Sequence, residues 1–293
     1  MQSKIKYTSY YERISPTAWM TAHHRTYTDI PYAHDIFDIV EELRLAQGET
    51  VMADEFKNPE IAPQIEASHK LVNKLLLDSG ISQVFEIAAG LSPRGLQVTS
   101  DPIFTYIEID LHKIAAQKRN IVARITSKQP GGLNQNLRIE TGNALNLASL
   151  KKATTTLDHS KPIAIINEGL LRYLAMEEKV IVAGNVRELL KQFGGLWITP
   201  DISLKTLVHA ENILTKGGMD RMHAATGVNI EHNCFDSIGH AKDFFEKLGF
   251  SIEIHSLMEV CDELVSPNRL GQSREQVKNL IDKGAVFVMR LAA

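Results

Sequence analysis

The chain has 293 residues, of which 44% are hydrophobic and 23% are charged, values close to those of ordinary globular proteins. A chain of this length buries about 75% of the surface that its unfolded form exposes, so a hydrophobic core forms without disulfide or metal staples. The composition therefore excludes collagen-like, mucin-like and largely disordered proteins.

Charge and cysteine content narrow the possible partners. The 32 Lys and Arg residues nearly balance the 35 Asp and Glu residues, whereas nucleic-acid-binding proteins usually carry a basic excess. The two cysteines provide neither a disulfide framework nor a paired zinc motif. The sequence shows no secretory signal and no apolar run of the roughly 18 residues that cross a bilayer. We therefore expect a cytoplasmic protein without nucleic-acid, membrane or metal partners, and the oligomeric state stays open.

Seven short apolar runs have the character of strands. They lie at residues 83–90, 103–110, 136–143, 162–169, 195–202, 250–257 and 285–291. Apolar residues at helical spacing fill several of the intervals, as Leu71, Val72, Leu75 and Leu76 do before the first run. Strands that alternate with helices pair in parallel through right-handed crossovers, which places helices on both faces of the sheet. The sequence therefore predicts an α/β fold.

Two segments depart from this alternation of strands and helices. Residues 1–60 are mostly polar with scattered aromatic side chains, and residues 204–235 carry glycines, methionines and several histidines. We expect one domain over residues 1–293, with a helical N-terminal extension over 1–60 and a lid over 204–235, after the fifth strand.

Acidic and amide side chains occur where the predicted strands end. Glu86 lies near the end of the first predicted strand, Asp110 ends the second, and Glu168 lies at the end of the fourth. Asn143 and Asp201 lie at the ends of the third and fifth predicted strands. Because ligands of open α/β sheets bind beyond the carboxyl ends of the strands, we expect these side chains to surround one site.

The chemistry of these strand ends separates two classes of nucleoside cofactor, since both place a ribose against an acid that ends the second strand. A dinucleotide needs a G-x-G-x-x-G turn, but residues 88–93 read Ala-Ala-Gly-Leu-Ser-Pro, with one of the three glycines. Pro93 also lacks the N–H group that would bind a phosphate. A rim of carboxylates suits the positive charge of S-adenosylmethionine better than a pyrophosphate.

Four segments resemble motifs of the leucine carboxyl methyltransferase family, which includes bacterial O-methyltransferases. They are residues 83–94 (QVFEIAAGLSPR), residues 106–111 (YIEIDL) with the downstream pair Lys118-Arg119, residues 142–145 (GNAL) and residues 168–174 (EGLLRYL). The resemblance runs from about residue 19 to the end of the chain. It implies a Rossmann-like, seven-stranded methyltransferase sheet, mostly parallel with an antiparallel last strand, and S-adenosylmethionine as the cofactor.

The resemblance also implies which residues bind the methionine and ribose of the cofactor. By position, Glu86, Ala88 and Gly90 would line the methionine end, and Asp110 would hold the ribose hydroxyls. Ala88 stands where the family usually has glycine. Its additional methyl group is tolerable but crowds the ligand.

The remaining motifs imply the adenine contacts and the catalytic residues. Asn143 and Ala144 would flank the adenine, with Asn143 replacing an aspartate of the family pattern. Glu168 would contact the donor near the reacting centre, and Tyr173 would form a wall of the acceptor pocket.

Members of the family use a basic residue before the first strand to hold the carboxylate of the donor. Lys70 is a candidate for this cofactor contact, and so are His69 and the earlier Arg25. The sequence does not choose among the three.

We therefore expect an S-adenosylmethionine-dependent methyltransferase acting on a carboxylate or hydroxyl oxygen of a small metabolite. A carboxylate needs no general base, whereas a hydroxyl needs one. The candidate bases are Glu168, Asp201 and four histidines within the predicted lid or at its edge, His209, His223, His232 and His240. Two alternatives remain, a NAD-type oxidoreductase and a non-catalytic methyltransferase fold that acts as a binding module.

Overall fold

A computed structural model describes residues 16–46, 59–128, 135–214, 217, 220, 223 and 227–292. Its sheet consists of β1 (Gln83–Ile87), β2 (Thr105–Asp110), β3 (Leu137–Thr141), β4 (Ile163–Ile166), β5 (Gly195–Thr199), β6 (Phe250–Ser256) and β7 (Ala285–Leu291). The strand order is β3-β2-β1-β4-β5-β7-β6. β7 runs antiparallel to both of its neighbours, while β1 to β5 pair in parallel. The predicted seven-stranded sheet with an antiparallel last strand is confirmed.

Helices cover both faces of this sheet. They are α1 (Pro16–Arg25), α2 (Ala33–Ala46), α3 (Ala62–Asp78), α4 (Arg94–Val98), α5 (His112–Thr126), α6 (Leu147–Ala153), α7 (Met176–Phe193), α8 (Lys205–Leu214), α9 (Ile238–Lys247), α10 (Ser266–Leu270) and α11 (Arg274–Ile281). Short 3₁₀ turns lie at Pro59–Ile61, Leu171–Tyr173, Glu231–Asn233 and Leu257–Glu263. In the described part of the chain no helix is long and apolar enough to cross a membrane.

The central strands are buried on both faces, which explains why they read as continuous apolar runs. Successive side chains of a strand point to opposite faces. Val84 and Leu196 join the core beneath α2 and α3. Phe85 and Trp197, one residue further along, join the core beneath α6, α7 and α9.

The described parts of the N-terminal segment, residues 16–46 and 59–60, are largely helical. Residues 1–15 and 47–58 lie outside the described residues. Helix α1 packs against α2 and α3 and reaches the turn that follows β1. A Cβ atom placed on Gly90 would lie 3.3 Å from the Cβ of Ala18. This contact brings α1 to the carboxyl edge of the sheet.

The segment predicted as a lid begins and ends at one point of the fold. Leu204 and Phe235 form an isolated β-bridge, and the Phe235 N–H donates to the Ser203 carbonyl at 2.9 Å. Between these residues lie α8 and the turn Glu231–Asn233, while residues 215–216, 218–219, 221–222 and 224–226 are outside the described part. The two ends of the segment therefore lie next to each other, close to the end of β5.

Gly194 and Gly195, at the start of β5, provide a test of how closely β4 and β5 approach each other. A Cβ on Gly195 would lie 2.0 Å from the Ile163 carbonyl oxygen of β4, while a Cβ on Gly194 would meet nothing within 4 Å. Both residues have positive φ. We expect Gly194→Ala to lower the free energy of unfolding by about 1–3 kcal/mol from backbone strain alone, because a φ of +71° with a ψ of −172° is a conformation that residues with a Cβ atom avoid. Gly195→Ala should cost about 3 kcal/mol or more, because the backbone of β4 must move.

Urea denaturation of the two variants measures this difference. Equal losses of stability for Gly194→Ala and Gly195→Ala would show that β4 and β5 are not packed as closely as described.

Candidate active site

A cavity opens beyond the carboxyl ends of β1 to β4, beneath α1, where ligands of open α/β sheets bind. It holds about 990 Å³ of open space including its mouth. Seven of the residues predicted for the site line it: Ala88, Gly90, Asp110, Asn143, Ala144, Glu168 and Tyr173. We call this the first cavity. Thr17, Ala18, Thr21 and Arg25 of α1 also line it, and apart from Arg25 these contacts had no signal in the sequence, because they depend on where α1 packs.

Asp110 lies at the floor of the first cavity with both carboxylate oxygens bonded to the backbone. Oδ2 accepts a hydrogen bond from the Gly90 N–H at 2.7 Å, and Oδ1 accepts one from the Leu111 N–H at 2.7 Å. Burial raises the pKa of Asp110, and the two backbone hydrogen bonds oppose that rise. Each carboxylate oxygen retains a second lone pair, so Asp110 can also accept hydrogen bonds from a ligand.

The turn after β1 holds two residues in the left-handed region. Gly90 has φ +53° and Ala88 has φ +54°. For a residue with a Cβ atom this conformation costs roughly 1–2 kcal/mol. The alanine at the family's glycine position thus keeps the conformation in which glycine is unstrained.

Asn143 and Ala144 form another part of the wall of the first cavity. The Asn143 Oδ1 accepts a hydrogen bond from the Leu145 N–H at 2.9 Å, and the Ala144 carbonyl accepts one from Asn185 Nδ2 at 2.8 Å. The loop after β3 is therefore held in place by hydrogen bonds from side chains to its backbone.

Glu168 lies between two arginines. Its Oε2 is 2.5 Å from Arg94 Nη2, and its Oε1 is 3.5 Å from Arg25 Nη2. Burial by itself would raise the pKa of Glu168, but the charges of Arg94 and Arg25 outweigh burial and lower it to about 2. Glu168 is therefore an ionised hydrogen-bond acceptor and a weak base.

Glu86 corrects an expectation from the sequence. Among the described residues it lines neither this cavity nor its neighbour, and it is 1% exposed. Its carboxylate accepts hydrogen bonds from Arg94 Nη1 at 2.5 Å and from the Tyr106 hydroxyl at 2.9 Å. Because Arg94 stands between Glu86 and the first cavity, Glu86 does not reach the methionine end of a cofactor there.

Lys70 is likewise placed away from the first cavity. Its ammonium lies 2.7 Å from Asp29 and 2.8 Å from Glu66, and it donates to the Glu263 carbonyl. Of the three basic candidates, Arg25 is the one that lines the cavity. The third candidate, His69, is not among the described residues that line the cavity, and its Nδ1 lies 3.3 Å from Arg94 Nη2.

A second cavity of about 1040 Å³, open mouth included, adjoins the first. The two cavities share a wall formed by Thr17, Thr21, Arg25, Glu168, Gly169 and Tyr173. The far side of the second cavity comes from α3, from α8 and from the loop after β5. Burial raises the pKa of Tyr173, so its hydroxyl stays protonated at neutral pH and can donate a hydrogen bond.

Asp201 shapes the loop that carries Glu168. Its carboxylate accepts hydrogen bonds from Asn167 Nδ2 at 2.6 Å and from the N–H groups of Gly169, Leu170 and Leu171 at 2.6 to 2.9 Å. Three of these donors bind Oδ2 and one binds Oδ1, so Asp201 anchors the loop after β4.

The histidines of the predicted lid lie apart from both cavities. The described lining of neither cavity includes any of them, and all four are exposed: His209, His223, His232 and His240. The histidine that does line the second cavity is the buried His24 of α1. The described residues also contain no group of three His, Cys, Asp or Glu side chains that could hold a metal ion.

The strand order and the cavity at the carboxyl edge define a class I methyltransferase fold. A sequence model described as leucine carboxyl methyltransferase matches residues 17–186, which is more than half of the chain. The chain therefore belongs to the leucine carboxyl methyltransferase family. This membership confirms the family predicted from the motifs and its cofactor, S-adenosylmethionine, and it argues against the NAD-type oxidoreductase.

Solved structures resemble the fold at low sequence identity. A DUF574 family protein from Streptomyces avermitilis has a TM-score of 0.55 and 16% identity, over 93% of this chain and 97% of that one. Magnesium protoporphyrin IX methyltransferase from Synechocystis with bound SAH has a TM-score of 0.48 and 11% identity, over 87% and 94% of the two chains. No curated protein sequence matches the chain.

The residues of the first cavity fit S-adenosylmethionine. Asp110 offers free lone pairs where a ribose is expected, and the turn at Ala88 and Gly90 has no phosphate-binding lysine beside it. In the described lining, Arg25 is the single Lys or Arg, and it stands next to Glu168. One cation beside one anion matches the carboxylate and ammonium of an amino acid better than a pyrophosphate.

His69 makes protein stability depend on pH in a defined direction. Burial, aided by the charge of Arg94, lowers its pKa from 6.5 to about 3. Below pH 6.5 the unfolded chain therefore binds a proton that the folded chain does not. The free energy of unfolding consequently decreases as the pH is lowered. Between pH 7 and pH 5 this amounts to about 2 kcal/mol, a loss that His69→Gln should remove.

Urea denaturation at several pH values, for the parent and for His69→Gln, measures this effect. His112→Gln, which removes an exposed histidine at the start of α5, serves as the control and should keep the pH dependence of the parent. The interpretation of His69 fails when His69→Gln and the parent lose the same free energy between pH 7 and pH 5.

Proposed function

We propose that the protein transfers the methyl group of S-adenosylmethionine to a carboxylate oxygen of a small molecule. The donor occupies the first cavity and the acceptor occupies the second. The observation that carries this proposal is the wall shared by the two cavities, where Arg25, Glu168 and Tyr173 face both spaces. A donor and an acceptor on the two sides of these residues would be neighbours, as direct methyl transfer requires.

The roles of the donor-binding residues follow from their charges and positions. Asp110 accepts hydrogen bonds from the ribose hydroxyls, and the loop of Asn143 and Ala144 borders the adenine. Glu168 accepts from the ammonium of the methionine end, while Arg25 binds its carboxylate. The Arg25 side chain supports this role, since it is 5% exposed and its Nε has no hydrogen-bond partner among the described residues.

The hydrogen bonds and ion pairs of the carboxylates in the second cavity favour a carboxylate acceptor over a hydroxyl acceptor. Each carboxylate in the described lining of the second cavity is engaged: Glu168 by two arginines, Asp201 by four donors and Glu211 by Arg172 at 3.0 Å. A hydroxyl acceptor must lose a proton to a base, for which His24 is the histidine at hand. A carboxylate is already ionised at neutral pH and needs none.

The chain contributes positioning and exclusion of water to this reaction. When bound, S-adenosylmethionine would supply an activated methyl group to the acceptor oxygen, and the sulfur would leave with the electron pair of the broken S–C bond. Helices α1 and α8 cover the two cavities, and the protonated Tyr173 hydroxyl can orient the acceptor. The products are a methyl ester and S-adenosylhomocysteine, and no proton is released.

Asp110→Asn tests the donor site. Asparagine keeps the shape of the side chain but removes the charge that receives the ribose hydroxyls. We expect the affinity for S-adenosylhomocysteine, measured by isothermal titration calorimetry, to fall roughly thirtyfold, or about 2 kcal/mol. Glu140→Gln, an exposed acid on the neighbouring strand β3, should bind like the parent. Equal binding by the parent and Asp110→Asn would contradict the assigned ribose contact.

The acceptor class is tested with S-adenosylmethionine carrying an isotope-labelled methyl group and matched sets of small carboxylic acids and alcohols. We expect label in an alkali-labile ester of an acid, at a rate that is flat between pH 6.5 and pH 8.5 because no base titrates. An alkali-stable ether, formed faster as pH rises, would instead support a hydroxyl acceptor with His24 as the base. Donor binding with no methylation of any compound would favour the binding-module alternative.

A further inference from the structure

A line of buried charged groups runs from the interior of the sheet to the first cavity. The Tyr106 hydroxyl donates to Glu86 at 2.9 Å, and Glu86 accepts from Arg94 Nη1 at 2.5 Å. Arg94 Nη2 then donates to Glu168 at 2.5 Å, and Glu168 faces Arg25 at 3.5 Å. Only the last two residues of this line border the cavities.

Arg94 is the centre of this line, and its surroundings leave it no contact with solvent. The residue is 0% exposed, its Nε donates to Asn73 Oδ1 at 2.8 Å, and its Nη2 also lies 3.3 Å from His69 Nδ1. A buried guanidinium is stable only when carboxylates and acceptors surround it. Here Glu86 and Glu168 supply the two negative charges, one on each side.

Glu168 interacts with two arginines, Arg94 and Arg25. Its Oε2 is committed to Arg94, while its Oε1 faces Arg25 and the cavity. Without the charge of Glu86, Arg94 would have Glu168 as its one carboxylate partner, because Asn73 and His69 are neutral acceptors. Both oxygens of Glu168 would then be drawn toward Arg94, in the two-point geometry that arginine favours with carboxylates.

We infer that Glu86 is a positioning residue for the amino-acid end of the donor, acting through Arg94 on Glu168 and Arg25. By holding one side of Arg94, Glu86 leaves Glu168 Oε1 free to orient Arg25 and to accept from the donor's ammonium. Tyr106 supports Glu86 from below. This inference rests on the proposed donor site, and it gives the buried carboxylate of Glu86 an indirect function in binding.

Glu86→Gln tests the inference, with two ligands that differ only at the amino-acid end. S-adenosylhomocysteine carries that end, whereas 5′-methylthioadenosine lacks it and keeps the adenosine that Asp110 contacts. By isothermal titration calorimetry we expect Glu86→Gln to weaken S-adenosylhomocysteine about tenfold. The affinity for 5′-methylthioadenosine should change less than about twofold, because the adenosine contacts are not altered.

Glu108→Gln is the matched control. Glu108 pairs with Glu86 in the register of β1 and β2, is also 1% exposed, and is bound by Lys118 at 2.6 Å instead of by Arg94. The same substitution there removes a buried carboxyl group, whose pKa burial raises to about 7, from an ion pair outside the line. It should leave the ratio of the two affinities as in the parent.

The outcomes separate this inference from the proposed function. A parent that binds neither ligand overturns the donor site itself. A parent that binds both, with a Glu86→Gln variant that has an unchanged ratio of affinities or loses both ligands equally, overturns the inference and leaves the donor site in place. Should Glu86→Gln not fold, Tyr106→Phe removes one hydrogen bond to Glu86 and must lower the affinity ratio in the same direction by about twofold to threefold; an unchanged ratio overturns the inference.

Discussion

The fully buried guanidinium of Arg94 determines how the active-site edge of this protein is built. A charge with no access to water is stable only when partners surround it, and Arg94 takes its partners from three elements: Glu86 from β1, Glu168 from the loop after β4, and Asn73 from α3. Removal of Glu86 or Glu168 leaves positive charge uncompensated, and removal of Asn73 leaves the Arg94 Nε–H without its acceptor. The need to surround Arg94 therefore ties the N-terminal helices to the sheet and fixes Glu168 at the border between the two cavities.

Carboxylates have a second use at this edge, as anchors for loops. Asp110 holds the turn after β1 through the Gly90 N–H, and Asp201 holds the loop after β4 through three consecutive N–H groups. Asp110 ends β2 and Asp201 lies two residues after the end of β5, and each secures the loop of the adjacent parallel strand. Because the strand ends meet at one edge, a few acids both shape the loops and set a negative potential, which suits a cationic ligand.

The sequence predicts the seven strands and most of the residues that line the first cavity. It does not predict the partner of each charged group. Asp110 and Glu168 both line the first cavity, because strand ends converge whatever the details of packing. Glu86 and Lys70 were placed wrongly, since Arg94 shields the former and Asp29 and Glu66 bind the latter. Those contacts depend on how α1 and α3 dock on the sheet. Periodicity predicts that a helix packs, but not which of its polar side chains meets which charge.

The turn after β1 shows why the departures from the family pattern leave the fold intact. Ala88 has the left-handed conformation that suits glycine, at a cost of roughly 1–2 kcal/mol. The turn is fixed from β2, since Ile109 accepts from the Ala89 N–H at 3.1 Å and Asp110 accepts from the Gly90 N–H at 2.7 Å. Hydrogen bonds of this kind offset a strain of that size. The backbone path of this turn is therefore set by the neighbouring strand, and Ala88 lines the first cavity.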